Sequence, residues 1–476
     1  MIKKMSMIPG GLSRREILQT AGTGFGLLAL RDLLSAQEPK ATIESGNRAA
    51  HPYAVRSPHH APKAKRIIFL YMPGGPSHVD LFDPKPRLAR DNGKPLPFDK
   101  PKLERTKTGN LLASPWKFAR HGKSGVEVSE LLPGISAHID DICVIRSMYA
   151  DNINHTGAAL QMCTGEQAFS RPSMGSWLNY GLGTENQNLP GFVVVSPAEV
   201  FQGAQLWASS FLPSAYQGTL VRDLKNPIAN LHTGSGSLGR QREKLDSLRQ
   251  LNQLHRRERV MDHALDARIA SFELAFRMQT EAPEAFDISG ENKATRQMYG
   301  VDSPTTDMFG RQCLMARRLV ERGVRFVQLF DAPANNAWDH HGGLRESLPA
   351  RCKAVDQPIA ALLRDLKGRG LLEDTLVLWG GEFGRSPTAE GNNGREHHPF
   401  GFSMFLAGGG IRGGMAHGAT DEFGWHAMEK KVHVHDLHAT MLHLMGLDHT
   451  KLTYRYGGRD YRLTDVHGEI VKDILA

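Results

Sequence analysis

The chain has 476 residues, of which 40% are hydrophobic, 23% are charged and 7% are aromatic. These values exclude a wholly disordered chain and suit one large domain, or two coupled ones, with a substantial buried core. The formal net charge of +8 is a mild excess, and no run of 18 apolar residues occurs, so we expect neither a nucleic-acid partner nor a transmembrane segment.

The N-terminus has the features of an export signal. The pair Arg14–Arg15 follows a short basic region and precedes a glycine-rich, weakly apolar stretch. A paired arginine in this position resembles a twin-arginine (Tat) signal. We therefore predict a signal peptide over residues 1–36, a linker over 37–64 and a periplasmic or secreted protein. The alternative is an N-terminal amphipathic helix of the folded domain.

Short apolar runs alternate with helical patterns along the rest of the chain. The first run ends at Pro73 and has the continuous hydrophobicity of a strand that is buried on both faces. Helical patterns over 306–322 and 349–366 lead into two later runs. This alternation predicts an α/β fold over residues 65–476, with a mostly parallel central sheet and helices on both faces. The predicted strands are 67–72, 142–145, 192–195, 324–329, 376–379 and 403–406.

A long polar segment interrupts this pattern at about residues 239–285. Its apolar residues recur at helical spacing from Met261 to Phe276, which predicts either one long amphipathic helix or a helical hairpin. The basic group at 256–259 is then a solvated helix face or a contact for a polyanion.

Histidine and carboxylate side chains cluster directly after the predicted strands. Ligands of such sheets bind beyond the carboxyl ends of the strands, so we expect these clusters to share one rim. Together they form a donor set for a divalent cation, Zn²⁺ or Ca²⁺, and a purely structural polar network is the alternative. The candidate metal ligands are His78, Asp80, Asp339, His341, Glu382 and His398.

The polar segment 151–157 follows the second strand and leads into a helix that is predicted from Ala158 to Cys163. A helix N-terminus stabilises an anion through free amide groups and the helix dipole, whereas Asn154 or Thr156 could equally be a simple helix cap. Arg385 and Arg395 could hold an anionic oxygen pair with the guanidinium fork, or they could form internal ion pairs.

The four cysteines form no C-x-x-C pair, which gives no support to a zinc ribbon or a thioredoxin-like site. In an oxidising compartment they allow three disulfide pairings, and buried free thiols are the alternative. The residues are Cys143, Cys163, Cys313 and Cys352.

Several motifs resemble the alkaline phosphatase/sulfatase superfamily. The segment T-L-V-L-W-G-G-E-F-G from Thr375 resembles the sulfatase strand that ends in Asp-His-Gly, and the segment Asp436 to Gly446 resembles a later sulfatase helix. Cys163-Thr-Gly resembles the end of the helix that carries the nucleophile. With the motifs G-G-P-S-H-V-D, W-D-H-H-G-G, G-E-F-G-R and G-R-E-H-H-P, residues 65 to 475 resemble a family of Tat-exported proteins of unknown function that are often described as sulfatases.

The resemblance implies an alkaline phosphatase-like fold and a metal-assisted hydrolase whose substrate is a small anionic ester or a sulfated glycan. It places the nucleophile at His155, with Thr156 beside it. It also places a site histidine at His397 or His398. The chain departs from the pattern at Pro73, where the superfamily has an aspartate, and at Glu382-Phe383, which replaces the Asp-His pair. The segment that starts at Cys313 lacks the proline or alanine of a formylglycine motif.

Two functions from different classes remain open. The first is an exported metal-dependent hydrolase of sulfate or phosphate esters, in which His155 or Thr156 attacks the ester or orients water. The second is a non-catalytic, sulfatase-like protein that binds a glycan or a protein partner, since part of the superfamily ligand set is missing. In the hydrolase, the residues expected to contact the substrate are Asn154, Arg385, Arg395 and His397.

Overall fold

The computed structural model describes residues 52–98, 109–227, 238–258 and 263–476. The predicted signal peptide and the first part of the predicted linker lie outside the described residues. The rest of that linker, from Pro52 on, packs on the domain. Tyr53 and Ala64 are buried, and the Lys63 N–H donates a 2.8 Å hydrogen bond to the Leu444 carbonyl. The folded part of the chain therefore begins earlier than residue 65.

Strands and helices alternate along the described chain. The strands are β1 (Arg66–Tyr71), β2 (Phe118–His121), β3 (Val126–Ser129), β4 (Ile142–Tyr149), β5 (Phe192–Val195), β6 (Thr219–Val221), β7 (Phe326–Phe330), β8 (Thr375–Gly380), β9 (Gly384–Ala389), β10 (Arg395–His398), β11 (Phe402–Ala407), β12 (Met415–His417), β13 (Ala419–Thr420), β14 (Ala427–Glu429), β15 (Val432–His433), β16 (Tyr454–Tyr456) and β17 (Arg459–Tyr461). The α-helices are α1 (His78–Leu81), α2 (Pro86–Arg90), α3 (Pro133–Ser136), α4 (His155–Thr164), α5 (Met174–Leu182), α6 (Leu238–Glu258), α7 (His263–Phe286), α8 (Lys293–Met298), α9 (Asp307–Glu321), α10 (Leu344–Gly368) and α11 (Val434–Leu444).

Nine strands form the central sheet, in the order β12-β4-β11-β8-β1-β7-β5-β6, with β15 also paired to β4. Strand β1 is buried on both faces, since Ile68 and Leu70 enter one hydrophobic core and Ile67 and Phe69 enter the other. Helices α9 and α10 contribute to the first core, and α4, α5 and α11 contribute to the second. The predicted α/β class, with a mostly parallel sheet between two helical layers, is confirmed.

The carboxyl ends of the parallel strands meet at one rim of the sheet. Strand β11 is antiparallel to β4 and β8, whereas the other described pairs of this sheet are parallel. The amino end of β11 therefore reaches the same rim, and it brings the preceding hairpin of β9 and β10 with it. Segments that are far apart in the sequence consequently meet at this rim.

The predicted helical segment at 239–285 is a pair of helices, α6 and α7, that pack on each other. Arg242 of α6 pairs with Glu273 of α7 at 2.9 Å, so the hairpin alternative is the one observed. The side chains of the basic group at 256–259 lie outside the described residues. None of the described helices has the length and apolarity that a membrane span requires.

The four cysteines are buried free thiols, which is the alternative to a disulfide framework. Burial raises the pKa of Cys143 and Cys163 to about 12, so both thiols stay protonated and unreactive at neutral pH. Cys313 lies inside α9 with none of its surface exposed.

Candidate metal centre

His155 is the first residue of α4, directly beyond the carboxyl end of β4. The side chain of Asn154 caps this helix by accepting a 2.9 Å hydrogen bond from the Thr156 N–H, which fixes where the helix begins. Asn154 therefore occupies the capping role that the sequence left open. The imidazole of His155 is buried, with 5% of the residue exposed, and it points into the rim.

Three imidazoles converge on one carboxylate at this rim. The Nε2 atom of His155 lies 3.2 Å from Oδ2 of Asp339, and the Nε2 atom of His341 lies 3.0 Å from Oδ1. The Nε2 atom of His397 is 3.4 Å from the same Oδ1 and 3.0 Å from Nε2 of His341. Segments that follow β4 and β7 and the strand β10 supply these four side chains, which we call the His₃Asp cluster.

The opposite nitrogen of each imidazole is held by an acceptor in the protein. Nδ1 of His155 lies 2.7 Å from Oε1 of Glu382, Nδ1 of His341 lies 2.5 Å from Glu390, and Nδ1 of His397 lies 2.8 Å from a backbone carbonyl, that of Ile153. An imidazole that donates through Nδ1 carries its lone pair on Nε2 when it is neutral. The three Nε2 atoms thus face Asp339, to which they donate when they are protonated, and their lone pairs become available to a cation when the rings are neutral.

The cluster has the dimensions of a cation site, because one ligand atom from each of its four residues lies within 4.8 Å of all the others. A second group with the same property consists of His341, Glu390 and Glu396. Sequence reasoning missed both glutamates. Glu396 stands within the G-R-E-H-H-P motif, which was a usable signal, whereas nothing in the local pattern singles out Glu390.

The electrostatics of the cluster centre on Asp339. Burial raises the pKa of this carboxyl, but the three imidazoles and the Arg385 guanidinium outweigh burial and hold the pKa far below its usual range. Burial lowers the pKa of His155, and the carboxylates of Asp339 and Glu382 overcome this and raise it. Burial dominates at His397 and lowers its pKa, which favours the neutral imidazole that a metal ligand needs.

Glu382 lies behind His155 and outside the four clustered ligand residues. It is 1% exposed, and its Oε1 also accepts a 2.8 Å hydrogen bond from the Gly74 N–H. Gly74 has φ +111°, and a Cβ there would come within 2.5 Å of the Asp339 nitrogen, so a side chain at this position would collide with the loop that carries the cluster. Gly74 thus contacts both Glu382 and the backbone of the loop that carries Asp339.

Arg385 and Arg395 are interior residues with no exposed surface. Arg385 donates to Asp339 at 2.5 Å and to carbonyls of the loop after β1, including that of Gly75 at 3.1 Å. Arg395 holds Asp80 in a fork, with Nε to Oδ2 at 2.7 Å and Nη2 to Oδ1 at 3.0 Å. The structure thus shows internal ion pairs at both arginines, and it places Asp80 in one of them rather than in the cluster.

His78 and His398 form a separate buried pair. Their rings stack with centroids 6.0 Å apart, and each Nε2 faces a backbone carbonyl, that of Gly424 for His78 and that of Trp425 for His398. Burial lowers the pKa of both histidines. Of the six ligands expected from the sequence, the structure brings Asp339 and His341 into the His₃Asp cluster and places Glu382 against it.

Aromatic rings surround His155. The ring of Phe383 lies 5.0 Å from it on the buried side, and the ring of Phe201 lies 6.3 Å from it on the solvent side. Phe201 follows β5, and sequence reasoning missed it because a lone phenylalanine in a loop carries no signal. Thr156, the neighbour of His155, has an exposed side chain.

The chain is similar, at low identity, to several solved structures. These include the sulfatase PsFucS1 from Pseudoalteromonas sp. (11% identity, TM-score 0.39, covering 87% of this chain and 72% of that chain). They also include the lipoteichoic acid synthase LtaP from Listeria monocytogenes (10%, 0.37, 89% and 81%) and a protein of the alkaline phosphatase superfamily from Vibrio parahaemolyticus (10%, 0.35, 87% and 76%). Identities and TM-scores this low leave the function to be inferred from the site itself.

A search of curated proteins finds no match to this sequence. A family model, in contrast, matches residues 64–475, which is most of the chain and includes every residue of the His₃Asp cluster. The chain therefore belongs to the family described as "Protein of unknown function (DUF1501)".

Proposed function

We propose that this protein is an exported, metal-dependent hydrolase of sulfate or phosphate esters, and that the His₃Asp cluster holds its cation. One observation carries the proposal: three Nε2 atoms converge on Asp339 while a carboxylate or a carbonyl holds each Nδ1. Acceptors placed in this way orient the lone pairs of imidazole ligands and raise their basicity.

The donor set favours zinc over calcium. Calcium takes six to eight oxygen ligands, whereas three imidazole nitrogens and one carboxylate match the preference of Zn²⁺ for four nitrogen and oxygen donors. Of the two cations expected from the sequence, we therefore propose Zn²⁺. In this assignment Glu382 orients His155 and does not bind the cation.

The surrounding residues supply what an ester hydrolase needs. A divalent cation held by these four donors would polarise the ester or lower the pKa of water only by taking that oxygen as a fifth ligand. Thr156, the residue after His155, is exposed and is the candidate nucleophile through its hydroxyl, whereas both nitrogens of His155 already face carboxylates. The N-terminus of α4 turns its positive dipole end towards the same place, which favours an anionic substrate such as a small ester or a sulfated glycan.

A non-catalytic function, the binding of a glycan or a protein partner, has one observation in its favour. Arg385 already pairs with Asp339, and every imidazole nitrogen of the cluster has a carboxylate or carbonyl oxygen within 3.4 Å. The cluster is therefore able to close as a network of hydrogen bonds and ion pairs without a cation.

Metal analysis of the full chain, purified without chelator, separates the two functions. If the protein is the proposed hydrolase, we expect one zinc per chain and turnover of an aryl phosphate or an aryl sulfate. The zinc should be lost in Asp339→Asn and in His397→Gln. A matched control is His467→Ala, an exposed histidine that stacks on His435 outside the cluster. Substoichiometric metal in the wild type, together with no turnover of either ester, would support the binding protein.

A further inference from the structure

Phe201 is an exposed aromatic residue at the mouth of the His₃Asp cluster. Its residue surface is 60% exposed, and its ring stacks towards His155 at a centroid distance of 6.3 Å and an interplanar angle of 25°. His155 and His397, by contrast, are only 5% and 1% exposed. The side chains of Asp339 and His341 are 19% and 21% exposed, so the cluster is also open to solvent on their side, and Phe201 flanks the His155 side with a phenyl ring that is mostly open to water.

The fold holds Phe201 in this position. The preceding Val200 is 5% exposed, and Leu206 and Trp207 just after it are 2% and 3% exposed, so buried side chains anchor the loop on both sides. The Gly203 N–H closes the turn by donating a 2.9 Å hydrogen bond to the Val200 carbonyl. The 3-10 helix Gly203–Trp207 packs on α4, the helix that begins with His155. The exposure of Phe201 is thus a feature of a well-anchored loop.

We propose that Phe201 binds the alcohol part of the substrate and selects esters whose alcohol carries an aromatic or a pyranose ring. This inference rests on the proposed hydrolase. The anionic end of the ester enters the cluster, and an alcohol that extends outwards on the His155 side contacts Phe201. An aromatic face contacts another aromatic ring or the CH-rich face of a pyranose, and it offers little to a short alkyl or charged alcohol. The substrate class is therefore an aryl or pyranosyl monoester.

The test compares esters that differ only in the alcohol, using the zinc-loaded full chain. Phenyl, pyranosyl and methyl monoesters are hydrolysed, and released phosphate or sulfate is measured to obtain kcat and KM. In Phe201→Ala, we expect KM for ring esters to rise about tenfold, with kcat within about twofold and no change for the methyl ester. Phe201→Trp should keep the preference for rings. If Phe201→Ala raises KM for only one of the two ring esters, that ester shows which kind of alcohol Phe201 binds.

The matched control is Phe169→Ala. Phe169 is 69% exposed, and it is not among the described rings that contact His155. This variant should match the wild type for all three esters. The proposal would be overturned if Phe201→Ala changed KM equally for ring and methyl esters. It would also be overturned if Phe169→Ala raised KM for the ring esters as much as Phe201→Ala does.

A binding measurement separates failure of this inference from failure of the proposed function. Saturation-transfer NMR with phenol and with a methyl pyranoside reports contact with the ring alone. If no ester is hydrolysed but one of these probes contacts the wild type and not Phe201→Ala, the role of Phe201 stands and the hydrolase fails. If the esters are hydrolysed but Phe201→Ala shows no ring-specific loss in either experiment, the hydrolase stands and the role of Phe201 fails.

Discussion

Glu382 accepts a 2.7 Å hydrogen bond from Nδ1 of His155, a residue 227 positions away in the sequence. The carboxylate is buried behind the imidazole and shares the same oxygen with the Gly74 N–H. This pair fixes the orientation of His155.

We expect Glu382→Gln to weaken zinc binding by about 10- to 100-fold while the protein still folds. Glutamine keeps the volume and one acceptor oxygen, but it loses the charge that makes His155 a more basic ligand. Competition with a chromophoric chelator measures the dissociation constant, with His467→Ala as the control. An unchanged constant would show that Glu382 does not act on the cation through His155.

Asp80→Asn should destabilise the fold without removing the cation. Asp80 and Arg395 both have no exposed side-chain surface, and removal of one charge leaves the other buried without its partner. The expected loss in the free energy of unfolding is about 3–5 kcal/mol. Denaturant unfolding measures this loss, and metal analysis of the folded variant should still give one zinc per chain. Loss of zinc from a variant that remains folded would return Asp80 to the ligand set.

We expect Asp331 to make the stability of the fold depend on pH. Burial raises the pKa of this carboxyl to about 6, and the Arg351 guanidinium and a hydrogen bond from the Trp338 indole only partly oppose it. The folded protein therefore holds the proton more tightly than the unfolded chain, where the pKa is about 3.9. Stability from this group is present below about pH 4 and is lost as the pH rises to about 6, by about 3 kcal/mol in total.

The variant Asp331→Asn isolates this effect. It keeps an acceptor for the Trp338 indole but does not titrate. Between about pH 4.5 and pH 7, the free energy of unfolding of the wild type should fall relative to that of the variant. Denaturant melts at four or five pH values measure it. A difference that stays constant with pH would place the pKa of Asp331 near its ordinary value.

Export by the Tat route is predicted from Arg14 and Arg15, and it is testable without knowledge of the substrate. Replacing both with lysine keeps the charge but removes the arginine pair, so precursor should accumulate in the cytoplasm. Immunoblots of cell fractions check this, with Lys3→Arg as a control that leaves the pair intact. Unchanged export of the double variant would assign the segment to another route or to the folded domain.

The central sheet was predictable because its strands are buried on both faces. Ile67 to Tyr71 alternate between two cores, which forces a continuous apolar run that is visible in the sequence. The positions of Asp339 and Glu382 followed from the same reasoning, since each comes shortly after such a strand, whereas His155 was expected as the nucleophile from the superfamily resemblance. The same rule also placed Asp80 in the ligand set, where it does not lie.

Other parts of the site depend on contacts that no local pattern carries. Arg395 and Asp80 are 315 positions apart. The sequence alone could not show whether the guanidinium of Arg395 binds a substrate or a buried aspartate. Glu390 reaches His341 because the β9–β10 hairpin folds back, and the polar composition of this hairpin resembles that of an ordinary loop. His397 and His398 are neighbours, yet the pleat of β10 sends only His397 to the cluster.

The reversed direction of β11 has a consequence for how the protein matures. Ile153, which orients His397 through its carbonyl, is synthesised 244 positions before its partner, so the His₃Asp cluster is complete only after the chain has been made beyond residue 397 and this part has docked. Truncated or half-folded chains would lack the cluster. A cation bound there would link distant parts of the polypeptide and would stabilise only the fully folded state.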